Sequence, residues 1–296
     1  MRYAIIDIGT NTIRMMIADK ALSGFNVFSK ELLLVRLGEG ILDGMITDAA
    51  TKRAIDALLK FRDKAQSLNA DKIICFGTSA VRDAKNKKGF LQTVFNETGL
   101  NIEIISGAAE AKLGFLGAVG KNGTGGIIDI GGGSTEIIFG ENGVLNYSKS
   151  FQAGVVRWLY KYPDADKIGK SVYDECAEMA HEFFSELNLL TPVLPVYGIS
   201  GTATTLCTMK LKIADYDASK VHGLCLKLDE IEEMADLLTS TTIEQRYNIV
   251  GLEKSRADII PFGAIILISV MHSLNLNEIV VSDSDNLEGY LIKNYS

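Results

Sequence analysis

Residues 127–141 read IIDIGGGSTEIIFGE and residues 5–19 read IIDIGTNTIRMMIAD, and the two stretches align without a gap. Such internal self-similarity marks a duplicated fold. In each copy a short β-branched strand ends at an aspartate, a glycine-containing turn follows, and a second apolar strand returns, the pattern of a β-hairpin. Asp7 matches Asp129, Gly9 matches Gly131, Thr12 matches Ser134, and Arg14 stands where the second copy has Glu136.

The residue types at the turn suit a phosphate held together with a divalent metal. Glycine lets the main chain turn tightly and approach an anion closely, so that backbone N–H groups can face phosphate oxygens. Gly9, Gly131, Gly132 and Gly133 are read in that role, with Asn11 and the hydroxyls of Thr12 and Ser134 as further donors and Arg14 as a guanidinium grip. A carboxylate repels phosphate but holds Mg²⁺ (or Mn²⁺), directly or through water, so Asp7, Asp129 and Glu136 are read as metal-side residues. A third turn of related composition, GISGTAT (198–204), opens at a strand end; Ser200, Gly201 and Thr202 could bind phosphate at a helix N-terminus. Segment 117–122, GAVGKN, lacks the spacing of a P-loop.

Outward from the first hairpin the pattern gives a third strand near 25–37 and a helix near 47–68 with Thr47 as N-cap. Then come a strand at 71–77, a helix near 88–98, a strand at 102–106 and a helix near 108–118. The glycine-rich GAVGKNGTGG (117–126) separates residues 1–120 from 121–296, where the order starts again with strands over 125–151. The expected architecture is α/β: two lobes, each a mixed five-stranded sheet flanked by helices, with the last helix, after 286, able to return to the first lobe.

Bulk properties narrow the classes. A chain of 296 residues, 47% apolar and 23% charged, suits two soluble domains. A net charge of −7 offers no protein-wide positive field for nucleic acid or a membrane surface, so neither is an expected partner. The N-terminus has only a short apolar run before Asp7, which reads as neither signal peptide nor span and places the chain in the cytoplasm. Cys75, Cys176, Cys207 and Cys225 are scattered, as are the three histidines, so buried thiols are expected rather than zinc ligands or disulfides.

The ordered set DIGTNTIRMMIAD (7–19), VRLGEGI (35–41), GTSAVRDA (77–84), EIISGAAEAKLGFLG (103–117), DIGGGSTEI (129–137), GISGTAT (198–204) and RADIIPFGAIIL (256–267) resembles the exopolyphosphatase and guanosine pentaphosphate phosphohydrolase family. That family belongs to the actin, heat-shock 70, sugar kinase and acetate kinase superfamily. The resemblance implies two actin-like (ribonuclease H-like) lobes with an interlobe cleft, Mg²⁺-dependent hydrolytic release of a terminal phosphate, and a homodimer. It places the catalytic glutamate at Glu110 and a cleft-facing arginine at Arg82. Inorganic polyphosphate is the first expected substrate and pppGpp the alternative. A kinase of the same superfamily, or a non-hydrolytic sensor of an alarmone or polyphosphate, is the rival of another class.

The chain departs from the family pattern at three positions: Ala109 stands where many relatives have an acid, Lys112 where they have arginine, and Leu287 where some carry arginine in SDxxLREG. Lysine keeps the charge but loses the bidentate fork. Longer relatives carry further C-terminal domains beyond the stretch that this sequence resembles.

Overall fold

The first strand, β1 (Arg2–Ile8), is apolar on both faces, as a central strand between helical layers must be. It pairs antiparallel with β2 (Thr12–Lys20), which pairs with β3 (Phe25–Leu34). The chain then crosses through α1 (Asp48–Ser67) to β4 (Lys72–Gly77), parallel to β1, and through α2 (Ser79–Asp83) and α3 (Lys87–Thr98) to β5 (Ile102–Ile104), before α4 (Gly107–Ala118). The resulting order is β3-β2-β1-β4-β5. This computed structural model describes residues 1–22, 24–39, 44–162 and 166–295; Gly40 and Ile41 of the VRLGEGI stretch lie outside them.

The alternation of β1 sorts its side chains between two layers. Ala4, Ile6 and Ile8 join Leu58, Phe61 and Val94 of α1 and α3 in one apolar cluster. Tyr3 and Ile5 join Phe76 of β4, Leu113 of α4, and Leu287 and Leu291 of a C-terminal helix in another. Asp7, in step with Tyr3 and Ile5, therefore shares the face that α4 covers. Thr47 caps α1 by accepting the Ala50 N–H at 3.1 Å, a contact that stabilises by about 1 kcal/mol.

The second sheet repeats this logic. β6 (Gly125–Ile130), β7 (Thr135–Glu141) and β8 (Val144–Phe151) are antiparallel neighbours. After α5 (Val155–Lys161) and α6 (Gly169–Phe184), β9 (Val196–Ile199) runs parallel to β6 and leads into α7 (Ser200–Leu211). Next come α8 (Ala218–Val221), β10 (Cys225–Lys227), α9 (Leu228–Ser240), α10 (Ile243–Arg246), α11 (Ile260–Ser273), β11 (Glu278–Val281) and α12 (Asn286–Tyr295). The order is β10-β11-β9-β6-β7-β8, six strands where five were expected. The extra strand, β10, has three residues, CLK, with no β-branched residue to signal a strand, and pairs antiparallel with β11.

Residues 1–117 together with 286–296 form one compact unit, and 118–285 form the other. The core of the second unit is built around α11, apolar on every side because α6, α7 and α9 all pack on it. Arg246 is fully buried there and donates to the carbonyls of Leu238, Thr241 and Ala257, satisfying the C-terminal end of α9.

Candidate phosphate-binding and catalytic site

Each hairpin turn closes with the same hydrogen bond. Gly9 N–H donates to the Thr12 carbonyl at 3.0 Å, and Gly131 N–H to the Ser134 carbonyl at 2.9 Å. A Cβ at Gly9 would lie 3.1 Å from that carbonyl oxygen, and one at Gly131 3.3 Å, so any other residue would crowd the turn.

In the second unit the residues after β8 fold back behind the turn. The carbonyl of Gly131 accepts from Val155 N–H, that of Gly132 from Val156 and Arg157 N–H, and that of Gly133 from Arg157 Nε at 3.0 Å. Across a trans peptide the carbonyl and the next N–H point in opposite directions. These peptides are trans, so the N–H groups of Gly132, Gly133 and Ser134 are all turned away from α5. Successive N–H groups on one side of a turn make an anion-binding concavity. In the first unit Gly38 N–H donates to Thr10, and Val35 and Arg36 N–H donate to Asn11, which turns the Asn11 and Thr12 N–H groups the same way. Asn11 is buried, and its Oδ1 has no hydrogen-bond partner among the described residues.

The charged residues behind the turns differ between the copies. Asp7 faces Arg14 across β1 and β2, and the guanidinium forms an ion pair with the carboxylate. Arg14, expected at phosphate, therefore spends part of its donor set on the residue expected at metal. Asp129 faces Glu136 across β6 and β7, both buried, and Glu136 accepts from Ser150 Oγ at 2.6 Å. Directly opposed carboxylates repel when both are charged. A divalent cation offsets that repulsion, and two carboxylates with water suit the hard, oxygen-preferring Mg²⁺. The residues present thus fit the expected metal. No group of three or more His, Cys, Asp and Glu able to hold a metal exists among the described residues.

Glu110 sits in the first turn of α4, where Ser106 caps the helix by accepting the Ala109 N–H at 3.2 Å. Its carboxylate is buried and takes Arg82 Nη1 at 2.7 Å. GTSAVRDA thereby does two things: Arg82 meets Glu110, and Ser79 meets Thr10 of the first turn, oxygen to oxygen, at 3.3 Å. Lys87, at the start of α3, donates to the Arg82 carbonyl at 2.7 Å, a helix-end contact.

The third turn is set beside the second by the sheet: Ile199 of β9 is in register with Asp129 of β6. Ser200 adopts a left-handed backbone, φ 64°, at the start of α7. The buried Thr202 directs its hydroxyl at the Ile130 carbonyl, 3.4 Å away, and so ties α7 to the strand before the glycine turn. Gly201 lies against the guanidinium of Arg256; a Cβ there would be 2.0 Å from Nη1. Arg157 and Arg256 are site residues that the sequence reading missed. Arg256 opens a quoted motif, which was a usable signal, whereas Arg157 acts on a backbone carbonyl and leaves no pattern. Leu287 is buried in the first unit's core with Tyr3 and Phe76, so that position serves packing here.

A duplicated β-hairpin turn on two sheets of matching strand order defines a protein of the actin-like fold. The chain belongs to the Ppx/GppA phosphatase family, whose model matches residues 16–295. It is 30% identical to exopolyphosphatase 2 of Mycobacterium tuberculosis, with 97% of each chain covered. It is 33% identical to the bifunctional 3-dehydroquinate synthase/phosphatase of Fusobacterium nucleatum and 27% identical to the guanosine-5'-triphosphate,3'-diphosphate pyrophosphatase of Photobacterium profundum. It spans only 46% and 58% of those two longer relatives. Among solved structures, an exopolyphosphatase from Cytophaga hutchinsonii matches at TM-score 0.90 and 28% identity, covering 100% of this chain and 99% of that one. The Aquifex aeolicus PPX-GPPA enzyme matches at 0.82 and 26%, covering 99% of each.

Proposed function

We propose that the protein is an exopolyphosphatase, releasing orthophosphate from the end of inorganic polyphosphate by hydrolysis, with pppGpp as a second substrate. The observation that carries this reading is the set of N–H groups of Gly132, Gly133 and Ser134, turned to one side of a turn flanked by Asp129 and Glu136. Such a turn grips a phosphoryl group without regard to what the group is attached to. Polyphosphate stands first because the relative matching end to end is named an exopolyphosphatase, whereas the pyrophosphatase relative extends well beyond the matched stretch.

Glu110 acts as the base: it orients a water and takes its proton as the oxygen attacks the terminal phosphorus. The bond from that phosphorus to the bridging oxygen breaks, giving orthophosphate and a chain one unit shorter. Arg82 holds the Glu110 carboxylate in place, and in each unit the turn N–H groups suit the charge on phosphoryl oxygens. Mg²⁺, when bound by Asp129 and Glu136, supplies further charge neutralisation. The free thiols and the absence, among the described residues, of any helix long and apolar enough to cross a membrane fit a cytoplasmic location.

The test is release of orthophosphate from long-chain polyphosphate and from pppGpp, with and without Mg²⁺. Mg²⁺-dependent release, faster from polyphosphate, supports the reading; release from pppGpp alone would move the assignment to the second substrate.

A further inference from the structure

The second unit holds an open cavity of about 300 Å³, lined by Tyr173, His181, Glu232, Ile265, Ser269 and His272. Its His272–Glu232 pair is largely exposed, and nothing in it identifies an occupant.

We infer that Arg157 is a positioning residue for phosphate binding: it holds the Gly133 carbonyl and thereby aims the Ser134 N–H at the anion. This rests on the proposed phosphate role of the turn. Two of the three peptide groups in the turn are fixed by main-chain donors, Val155, Val156 and Arg157 N–H. The third, Gly133–Ser134, is fixed among the described residues by the Arg157 side chain: Nε reaches the Gly133 carbonyl at 3.0 Å, and Nη2 reaches Gln152 Oε1 at 3.0 Å. Gln152 precedes the backing residues and Arg157 ends them, so their side chains brace one another across the stretch that supports the turn. Gly154 between them is pressed onto the turn so closely that a Cβ would lie 2.5 Å from the Gly133 carbonyl carbon.

The first unit does the equivalent work differently. Its backing residues meet the turn through main chain only, and Arg53 of α1 holds those residues from behind, donating to the carbonyls of Val35 at 2.7 Å and Arg36 at 3.0 Å. An arginine braces each turn, through the support in one unit and on the turn itself in the other. The glycines at 131–133 give the second turn freedom that the first, with Thr10 and Asn11, lacks, which is why the second needs the direct hold.

A group that orients a donor used equally by bound substrate and transition state raises KM when lost and leaves kcat nearly unchanged. Arg157→Ala is therefore expected to raise KM for polyphosphate about tenfold, the worth of one charge-assisted hydrogen bond, with kcat within about threefold. Arg157→Lys, which keeps a charged donor, restores most of the loss. In the wild-type protein the Ser134 amide resonance should shift on titration with tripolyphosphate, and in Arg157→Ala that shift should shrink. An unchanged KM in a folded Arg157→Ala, or a wild-type Ser134 amide indifferent to tripolyphosphate while turnover is normal, overturns the inference. Absence of turnover and of tripolyphosphate binding in the wild type would instead overturn the hydrolase reading on which it rests.

Discussion

Glu136 and Asp129 occupy opposed positions on neighbouring strands, and their value lies in being two carboxylates rather than one. Replacing Glu136 by glutamine keeps the hydrogen-bonding shape toward Ser150 but removes a charge from the cation's side. The Mg²⁺ concentration for half-maximal activity is expected to rise by about tenfold or more, on the scale seen when metal-site partners are removed. A Mg²⁺ titration of phosphate release checks this, and an unchanged midpoint would remove Glu136 from the metal's surroundings. The first copy carries Arg14 at the same register, and its ion pair with Asp7 makes that turn the more cationic of the two. Both pairings were available from the sequence: residues equidistant from a tight hairpin turn face one another, and 7 with 14 and 129 with 136 are such pairs. The sequence reading set Glu136 with Asp129 on the metal side but gave Arg14 to phosphate alone, and so missed its ion pair with Asp7.

At the scale of elements, the fold rests on hairpins supported from behind. Gly154→Ala tests the support in the second unit. Its Cβ would meet Gly132 and Gly133 backbone atoms at 2.5–2.6 Å, so the turn or α5 must move. A cost of about 1–3 kcal/mol in stability is expected, the range for overpacking, with weaker substrate binding; chemical denaturation and KM together measure it. Full stability and unchanged KM would show that the support is slack. The strands, the α1 cap at Thr47, and the long helices α1, α3 and α6 could be read in the sequence because each carries its own periodicity. The five-residue α2 and the seven-residue α5 could not, since each is shorter than the helical pattern that would reveal it, and the three-residue β10 lacks the β-branched residues that marked the equally short β5. The backing residues escaped for another reason: their contacts with the turns join positions about 25 apart in sequence, through main-chain atoms that every residue possesses.

For the molecule as a whole, the buried thiols give a readout of intact packing. Burial pushes the Cys75 thiol up to about 12, and Cys176 and Cys207 up to about 11. The thiolate is the reactive form, so at pH 8 these three should resist a disulfide reagent while the chain is folded. The half-exposed Cys225 should react first, and all four should react in denaturant. The sign of the linkage follows from the raised values. A thiol that ionises less readily when folded contributes stability that is complete below its unfolded value near 9 and is lost as pH climbs through 11 to 12. Denaturation midpoints should therefore fall between pH 9 and 12, and a flat profile there would contradict the packing around these cysteines.

The central claim is that Glu110, held by Arg82, is the base of a Mg²⁺-dependent phosphoanhydride hydrolysis. The most direct measurement is phosphate release from long-chain polyphosphate by Glu110→Gln beside the wild type, with polyphosphate binding measured on both. Glutamine keeps the size of the side chain and removes the base, so turnover should fall by about 10²–10⁴-fold with binding retained. A variant that hydrolyses polyphosphate as fast as the wild type would contradict the account.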